Sequence, residues 1–347
     1  MARWCVLAFV TCFIVRLAAS AKCQTIGNFQ GSEDATLYRA GFAFQSSGLV
    51  PGTGQPGLIL GLSLAGATPA ATPLELLDVP DGFGFRPHGL HFDNVTKRLF
   101  AVSHSDERHE ESIVAFDVLN GSSALPALRF RFALTSPAFK YYDKSVVWFL
   151  NDLAVVDGRD ELFVTQFGPQ RSTPTQDKVL FRCTWDEADR RTDGRLPANC
   201  STALPDRSLG LNGIAISPSG DRLWVNDLYN AQLWVINVTG GELTREATMS
   251  LPGVVDNVEY DLASGDLTMG LIGRGTRPPR YQGDGGPGGA LVARCLDGAR
   301  HVYGPPEVTV RNDLGSAWQV STSLVYGTHV VLGSPWDVGP IACEHRR

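Results

Sequence analysis

One short design recurs along the chain: a polar head, an apolar strand, a tight turn carrying Gly or Asp, and a second strand. Its clearest copy runs Leu150-Asn151-Asp152-Leu153-Ala154-Val155-Val156-Asp157-Gly158-Arg159-Asp160-Glu161-Leu162-Phe163-Val164, two alternating apolar runs around a polar turn. Pro87-His88-Gly89-Leu90 leads in the same way to Arg98–Val102, and Asn212-Gly213-Ile214-Ala215-Ile216 leads to Arg222–Val225. Val255-Asp256-Asn257-Val258 follows, with its turn at Ser264-Gly265-Asp266. The heads fall at Glu33, His88, Asn151, Asn212, Asn257 and, in a weaker copy, Ser321, at intervals of 55, 63, 61, 45 and 64 residues. Repeats of about 40–50 residues with several strands each specify propeller blades, which loop insertions lengthen. Six heads therefore predict an all-β, six-bladed β-propeller, one domain over residues 22–347. In such a ring the innermost strands line a central channel, so their heads crowd around one axis. Capping a turn explains any single Asn or Asp; it does not explain the set.

The rest of the chain agrees with many short strands. Its 37 Gly and 21 Pro punctuate the sequence, and 43% hydrophobic residues supply a sizeable core. A net charge of −6 with no basic run excludes nucleic acid as the main partner. Gly52-Thr53-Gly54-Gln55-Pro56-Gly57 matches a dinucleotide fingerprint in form, but strand-like Leu58–Leu64 follows it where that motif needs a helix. A hairpin loop fits better. Gly273–Gly289 reads as a Gly/Pro-rich loop, while Asp186–Arg191 and Asp206–Leu211 read as local turns. His109-Glu110 begins an H-E-x-x-H pattern that lacks its second histidine, so it is assigned to a solvated loop.

Residues 1–21 read as a signal peptide: Arg3, the apolar run Trp4–Val15, and an Ala-x-Ala site in Leu17-Ala-Ala-Ser-Ala21. A retained anchor is the alternative. No later run of about 18 apolar residues predicts a transmembrane helix, and secretion is expected. Export suits disulfides. Cys23 and Cys343 stand near the two ends, where a ring-shaped fold would bring them together. Cys183 and Cys200 are expected to staple a hairpin around Asp193-Gly194, leaving Cys295 over. Asn94, Asn120, Asn199 and Asn237 each begin an N-x-Ser/Thr glycosylation sequon.

Gathered at one end of a channel, Glu33, Asn151, Asn212, Asp256 and Asn257 supply two carboxylates and three amide carbonyls. All are hard oxygen donors, the inventory that suits Ca²⁺. Asp34, Asp152 and the backbone carbonyl of Leu90 form a second set one step deeper, expected to hold a structural ion. His88 heads its own repeat and His104 ends the paired strand, so the two imidazoles are the expected general-base pair. No G-x-S-x-G elbow or phosphate-binding loop offers another hydrolytic design.

Gly31-Ser-Glu-Asp34, Phe44-x-Ser-Ser-Gly48, Pro87-His-Gly89, Leu150-Asn-Asp152, Asn212-Gly-Ile-x-Ile-Ser217 and Val255-Asp-Asn257 resemble the serum paraoxonase/arylesterase family, from about Cys23 to Cys343. The resemblance implies a six-bladed propeller closed by a disulfide between its ends, two calcium ions, and a small-molecule lactone or aryl ester as substrate, with phosphotriesters hydrolysed promiscuously. It assigns the catalytic ion to Glu33, Asn151, Asn212, Asp256 and Asn257, the structural ion to Asp34, Leu90 and Asp152, and the dyad to His88 and His104. It also raises peripheral lipid association, although a cleaved leader weighs against the animal mode that uses a retained hydrophobic N-terminus. Two departures stand out: Leu271 and Ile272 replace a cysteine and a histidine of animal members, and the segment from Gln166 to Leu209 differs strongly. A non-catalytic binding propeller stiffened by calcium, and a strictosidine-synthase-like or gluconolactonase-like propeller enzyme, are the rival readings.

Overall fold

The computed structural model describes residues 22–48, 57–66, 68–104, 111–120, 125–139, 150–167, 178–208, 210–273, 288–297, 302–311, 320–335 and 339–344. The leader, His109-Glu110, most of the 273–289 loop and the 52–56 part of the fingerprint-like turn lie outside them. Six sheets form the ring, five of them antiparallel and four-stranded, the second extended to six strands by Leu76–Leu77 and Arg195–Pro197, both parallel to Ala127–Thr135. The inner strands are Ala35–Arg39, Pro87–Asp93, Leu150–Val155, Leu211–Ile216, Val255–Tyr260 and Thr322–Tyr326. Each inner strand packs against the next in chain order, and Thr322–Tyr326 returns to Ala35–Arg39. Six blades and the all-β class match the repeat count. Helical structure among the described residues is confined to 3₁₀ turns, including Glu187–Asp189 in the charged run. The expected turn at Asp206–Leu211 is instead split between the strands Asn199–Ser208 and Leu211–Ile216.

Strand periodicity explains why the blades stack. Successive side chains in a strand point to opposite faces. Leu153, Val155, Leu162 and Val164 accordingly join the apolar layer toward the second blade, whereas Ala154, Val156 and Phe163 join the layer toward the fourth. Both faces of the blade are buried, so its strands read as near-continuous apolar runs. One such cluster fills each of the six blade interfaces. The strand following the decoy motif is Leu58–Ser63, as expected of a hairpin.

Tight turns connect the first two strands of each repeat. Gly158, Gly220 and Gly265 hold φ at 70°, 70° and 75°, and Lys97 adopts 59° in the corresponding turn of the second blade. Gly41 and Gly327 hold 74° and 58° in the turns of the first and sixth blades. Only glycine reaches that region without a Cβ penalty, which accounts for the Gly in five of the six turns.

The two chain ends close the ring. Cys23–Thr25 pairs with Ile341–Glu344 as the outermost strand of the sixth blade, in the order Cys23–Thr25, Ile341–Glu344, His329–Gly333, Thr322–Tyr326. Cys23 lies directly opposite Cys343, and a disulfide joins them across 320 residues. Cys183 and Cys200 face each other on neighbouring strands of the third blade and are also bridged, with the Asp193-Gly194 turn between them in sequence. Cys295 is free. No helix of the described residues is long and apolar enough to cross a membrane. The four sequon asparagines all lie at or just past strand ends remote from the polar heads.

Closing so long a loop constrains the unfolded chain. Cys23→Ser is expected to lower unfolding free energy by about 2–5 kcal/mol, read from urea denaturation. A change below about 0.5 kcal/mol would show that strand pairing alone closes the ring.

Candidate active site

An uninterrupted strand would direct the head residues into the blade interfaces. Four inner strands break register at their heads instead. Pairing jumps from Pro87↔Ser103 to Leu90↔Ala101, from Leu150↔Gln166 to Leu153↔Val164, from Leu211↔Asp227 to Ile214↔Val225, and from Val255↔Leu271 to Val258↔Met269. Each jump sets two residues against one, the count of a β-bulge. The bulged pairs are His88-Gly89, Asn151-Asp152, Asn212-Gly213 and Asp256-Asn257. Two of them contain the glycine on which close approach depends. A Cβ on Gly89 would lie 2.5 Å from Asp152 Cα, and one on Gly213 would lie 2.5 Å from Asn257 Cα. Neighbouring heads therefore touch backbone to backbone.

The predicted residues meet at one end of the channel. Asn257 donates its side-chain amide to Glu33 Oε1 at 3.0 Å, and Asn212 donates to the Asp256 carboxylate. Ser321, the weakest head, donates its hydroxyl to the Glu33 carbonyl while its own carbonyl accepts the Asn257 N–H at 2.7 Å. One layer deeper, Asp34 Oδ2 accepts the Leu90 N–H at 2.6 Å, and Asp152 accepts the N–H groups of Leu153 and Ile214 at 2.7 and 2.9 Å. The Leu90 side chain packs in the apolar layer between the first two blades. His88 Nδ1 stands 2.8 Å from His104 Nε2, and His88 Nε2 stands 3.2 Å from Glu33 Oε2. All of these residues are buried except Asp256, which is half-buried.

Several of these groups lack the partners that burial demands. Glu33 Oε2, Asp34 Oδ1, Asn151 Oδ1, Asn212 Oδ1 and Asn257 Oδ1 are buried with no hydrogen-bond donor. Buried acceptors are normally paired, and each orphan costs about 1–3 kcal/mol. Every one is an oxygen, and four of the five belong to heads of different blades. Among the described residues no three His, Cys, Asp or Glu side chains cluster tightly enough to hold a metal; three of the five upper donors are amides, so an acidic cluster is not the expected form. The donor chemistry fits a hard cation.

Electrostatics point the same way. Burial pushes the Glu33 carboxyl up to about 8, against the lowering hydrogen bond from Asn257. Burial, reinforced by the charge of neighbouring carboxylates, raises Asp34, Asp152 and Asp256 well above the usual range. Burial pushes His88 down to about 3, so its contact with Glu33 in the metal-free protein joins a neutral imidazole to a carboxyl.

Three contributors escape sequence reading. Glu111, buried, places Oε1 2.7 Å from His104 Nδ1 and accepts the Leu150 N–H on Oε2 at 2.5 Å. Thr165, opposite the Asn151-Asp152 bulge, donates to the Asn212 carbonyl, and Asn226, opposite the Asn212-Gly213 bulge, donates to the carbonyls of Val255 and Asp256. Each braces the head of the next blade. Nothing local marks them, because their partners come from another repeat.

No family model matches the chain. Serum paraoxonase/arylesterase 2 of Homo sapiens is 26% identical over 263 residues, which cover 71% of this chain and 68% of the human protein. Serum paraoxonase/arylesterase 1 of Rattus norvegicus is 25% identical over 283 residues, 76% of this chain and 72% of the rat protein. The chain is similar to the serum paraoxonase/arylesterases. Solved structures with the same fold include a luciferin-regenerating enzyme (TM-score 0.53, 12% identity, covering 94% of this chain and 95% of that one). A PQQ-bound aldose sugar dehydrogenase from Streptomyces coelicolor is another (TM-score 0.52, 11% identity, 94% and 99% covered). The positions that depart from the paraoxonase/arylesterase pattern are apolar here by placement: Leu271 is fully buried between the fourth and fifth blades, and Ile272 packs with Leu228 and Val254 beside the site.

The raised carboxyls set a pH dependence for metal-stripped protein. A Glu33 carboxyl with a folded value near 8 and an ordinary value of 4.5 holds a proton that the unfolded chain has released, so its contribution falls as pH rises. His88 acts oppositely, but only below its ordinary value of 6.5. Stability of the stripped protein is therefore expected to decline between about pH 6.5 and 8, measured by urea unfolding. A flat or rising profile in that window contradicts the reading.

Proposed function

We propose that the chain is a secreted, calcium-dependent hydrolase of lactones and aryl esters, with phosphotriesters as promiscuous substrates. The observation that carries this is the convergence of unpaired buried oxygens from separate blades beside the His88–His104 pair. Glu33, Asn151, Asn212, Asp256 and Asn257 would hold one ion; Asp34, Asp152 and the Leu90 carbonyl would hold the other. Two carboxylates in each set match the charge of a dication, and the amides fill further coordination positions without adding charge. When bound, the upper cation supplies Lewis acidity toward a carbonyl oxygen and its developing negative charge.

The chain's own groups supply the rest. His88 removes a proton from the attacking water, and His104 orients its ring through the 2.8 Å contact. Leu228, Val254 and Ile272 form an apolar group beside the Val255–Asp256 head, and Phe167 and Tyr229, stacked on each other, pack against it. Similarity to proteins named as arylesterases supports the reaction class, and a gluconolactonase from Xanthomonas campestris shares the fold (TM-score 0.50, 16% identity, 94% and 90% covered). The two disulfides suit an exported protein.

The test is turnover of a lactone panel and phenyl acetate by purified protein, before and after removal of divalent ions and with calcium restored. Activity lost on removal and regained with calcium is expected. No hydrolysis by calcium-loaded protein across the panel sinks the proposal and favours a binding propeller. His88→Gln should lower kcat by roughly 10²–10⁴-fold while calcium still raises Tm; near-wild-type turnover moves the base elsewhere.

A further inference from the structure

We infer that Glu111 is a positioning residue that fixes the proton arrangement of the histidine pair and leaves Nε2 of His88 as its bare, basic nitrogen. Its catalytic meaning rests on the hydrolase reading above; its geometry does not. Glu111 immediately precedes the third strand of the second blade, Ser112–Leu119, and is 2% exposed. Its Oε2 accepts the backbone N–H of Leu150 at 2.5 Å, and its Oε1 lies 2.7 Å from His104 Nδ1. A carboxylate accepts at both oxygens, so Nδ1 of His104 carries the hydrogen of that contact. In this Nδ1–H tautomer the other ring nitrogen, Nε2, is the acceptor. That nitrogen is 2.8 Å from His88 Nδ1, which must in turn carry hydrogen and donate. Nε2 of His88 is thereby left with its lone pair, on the side where Glu33 Oε2 stands 3.2 Å away.

The direction matters because the two imidazoles alone do not choose it. Reversed, His104 would donate from Nε2 to His88 Nδ1, and His88 would present an N–H to the channel where a base is needed. Glu111 breaks that symmetry from two bonds away, as the buried acid of a hydrolytic triad sets the tautomer of its histidine. Its second oxygen is tied to Leu150, the residue before Asn151, so the same carboxylate holds the pair in register with the head of the third blade. When His88 takes a proton from water at Nε2, the resulting positive charge faces Glu111 through one intervening ring.

Glutamine tests this because its geometry is similar and its polarity is not. To keep the Leu150 bond it must point its carbonyl there, which turns its amide N–H toward His104 Nδ1 and reverses every donor along the line. The primary readout is ¹⁵N NMR of histidine-labelled protein loaded with calcium, at neutral pH. Wild type should show His88 and His104 both as Nδ1–H tautomers, and Glu111→Gln should show both as Nε2–H. In the lactone or ester assay, Glu111→Gln should lose roughly 10²–10⁴-fold in kcat with KM within about 3-fold, and calcium should still raise Tm. Glu111→Asp, which keeps the acceptor polarity, should retain the wild-type tautomers and recover part of kcat. An Nε2–H signal for His88 in wild type overturns the inference, as does a Glu111→Gln variant with reversed tautomers and full kcat, or with lost kcat and unchanged tautomers. A protein that hydrolyses nothing would refute the hydrolase reading alone, since the tautomers are read without turnover. If Glu111→Gln does not fold, the wild-type spectrum decides.

Discussion

A strand that pairs without interruption alternates its side chains between the two neighbouring blades and leaves none to face the ring axis. The channel of this protein exists because four inner strands slip at their heads, two residues against one, and release a pair each. The slips are held from outside: Thr165 and Asn226, each opposite a bulge, bond to backbone carbonyls of the following blade. They are held from inside by Gly89 and Gly213, whose missing side chains let adjoining heads touch. One blade's irregularity thus becomes the next blade's packing surface. The geometry propagates around the ring and cannot be assembled by any repeat alone.

That assembly concentrates charge where little water can dissipate it. Beyond burial, the charge of Glu33 raises Asp34, and the charges of Glu33 and Asp34 raise Asp152 and Asp256. The arginine ion pairs do not help. Arg98 and Arg131 bind Glu187, Arg182 binds Glu161 and Arg222 binds Glu246, all away from the heads. In a low-dielectric channel an unpaired carboxylate either keeps its proton or needs a cation. Protonation would still leave the amide oxygens of Asn151, Asn212 and Asn257 without donors, since an amide carbonyl gains nothing from a neutral carboxyl facing elsewhere. A hard cation answers both deficits at once, which is the physical reason to prefer it over a simple pH adjustment.

The fold was legible because its information is local and repeated. Head, strand, turn and strand can be read within about fifteen residues, and alternation of apolar positions predicts burial on both faces. The cysteine pairs were legible for a topological reason, since a ring brings its ends together. What could not be read is contact between repeats. Glu111 ends a solvated-looking His-Glu-Glu run and gave no sign of its partner, because that partner is a backbone N–H of Leu150 in another blade. Thr165 sits inside an ordinary strand pattern. Asp206–Leu211 looked like a turn because its composition is polar, yet cross-strand pairing absorbs half of it. What the structure adds to the donor chemistry is that the heads meet.

The departures from the paraoxonase/arylesterase pattern fall into two physical classes. Cys183–Cys200 ties strands of the third blade at the end remote from the heads, so it stabilises the outer sheet without reaching the channel. Leu271 and Ile272 lie at the head end. Leu271 pairs directly with Val255, the residue before Asp256, and Ile272 packs on Val254 and Leu228. These two buried apolar side chains make the flank beside Val254 and Val255 apolar where the pattern of the animal proteins is polar. The oxygen ring and the histidine line are untouched by either change, so on the hydrolase reading proposed above variation at this flank acts on which acyl or leaving group is accommodated.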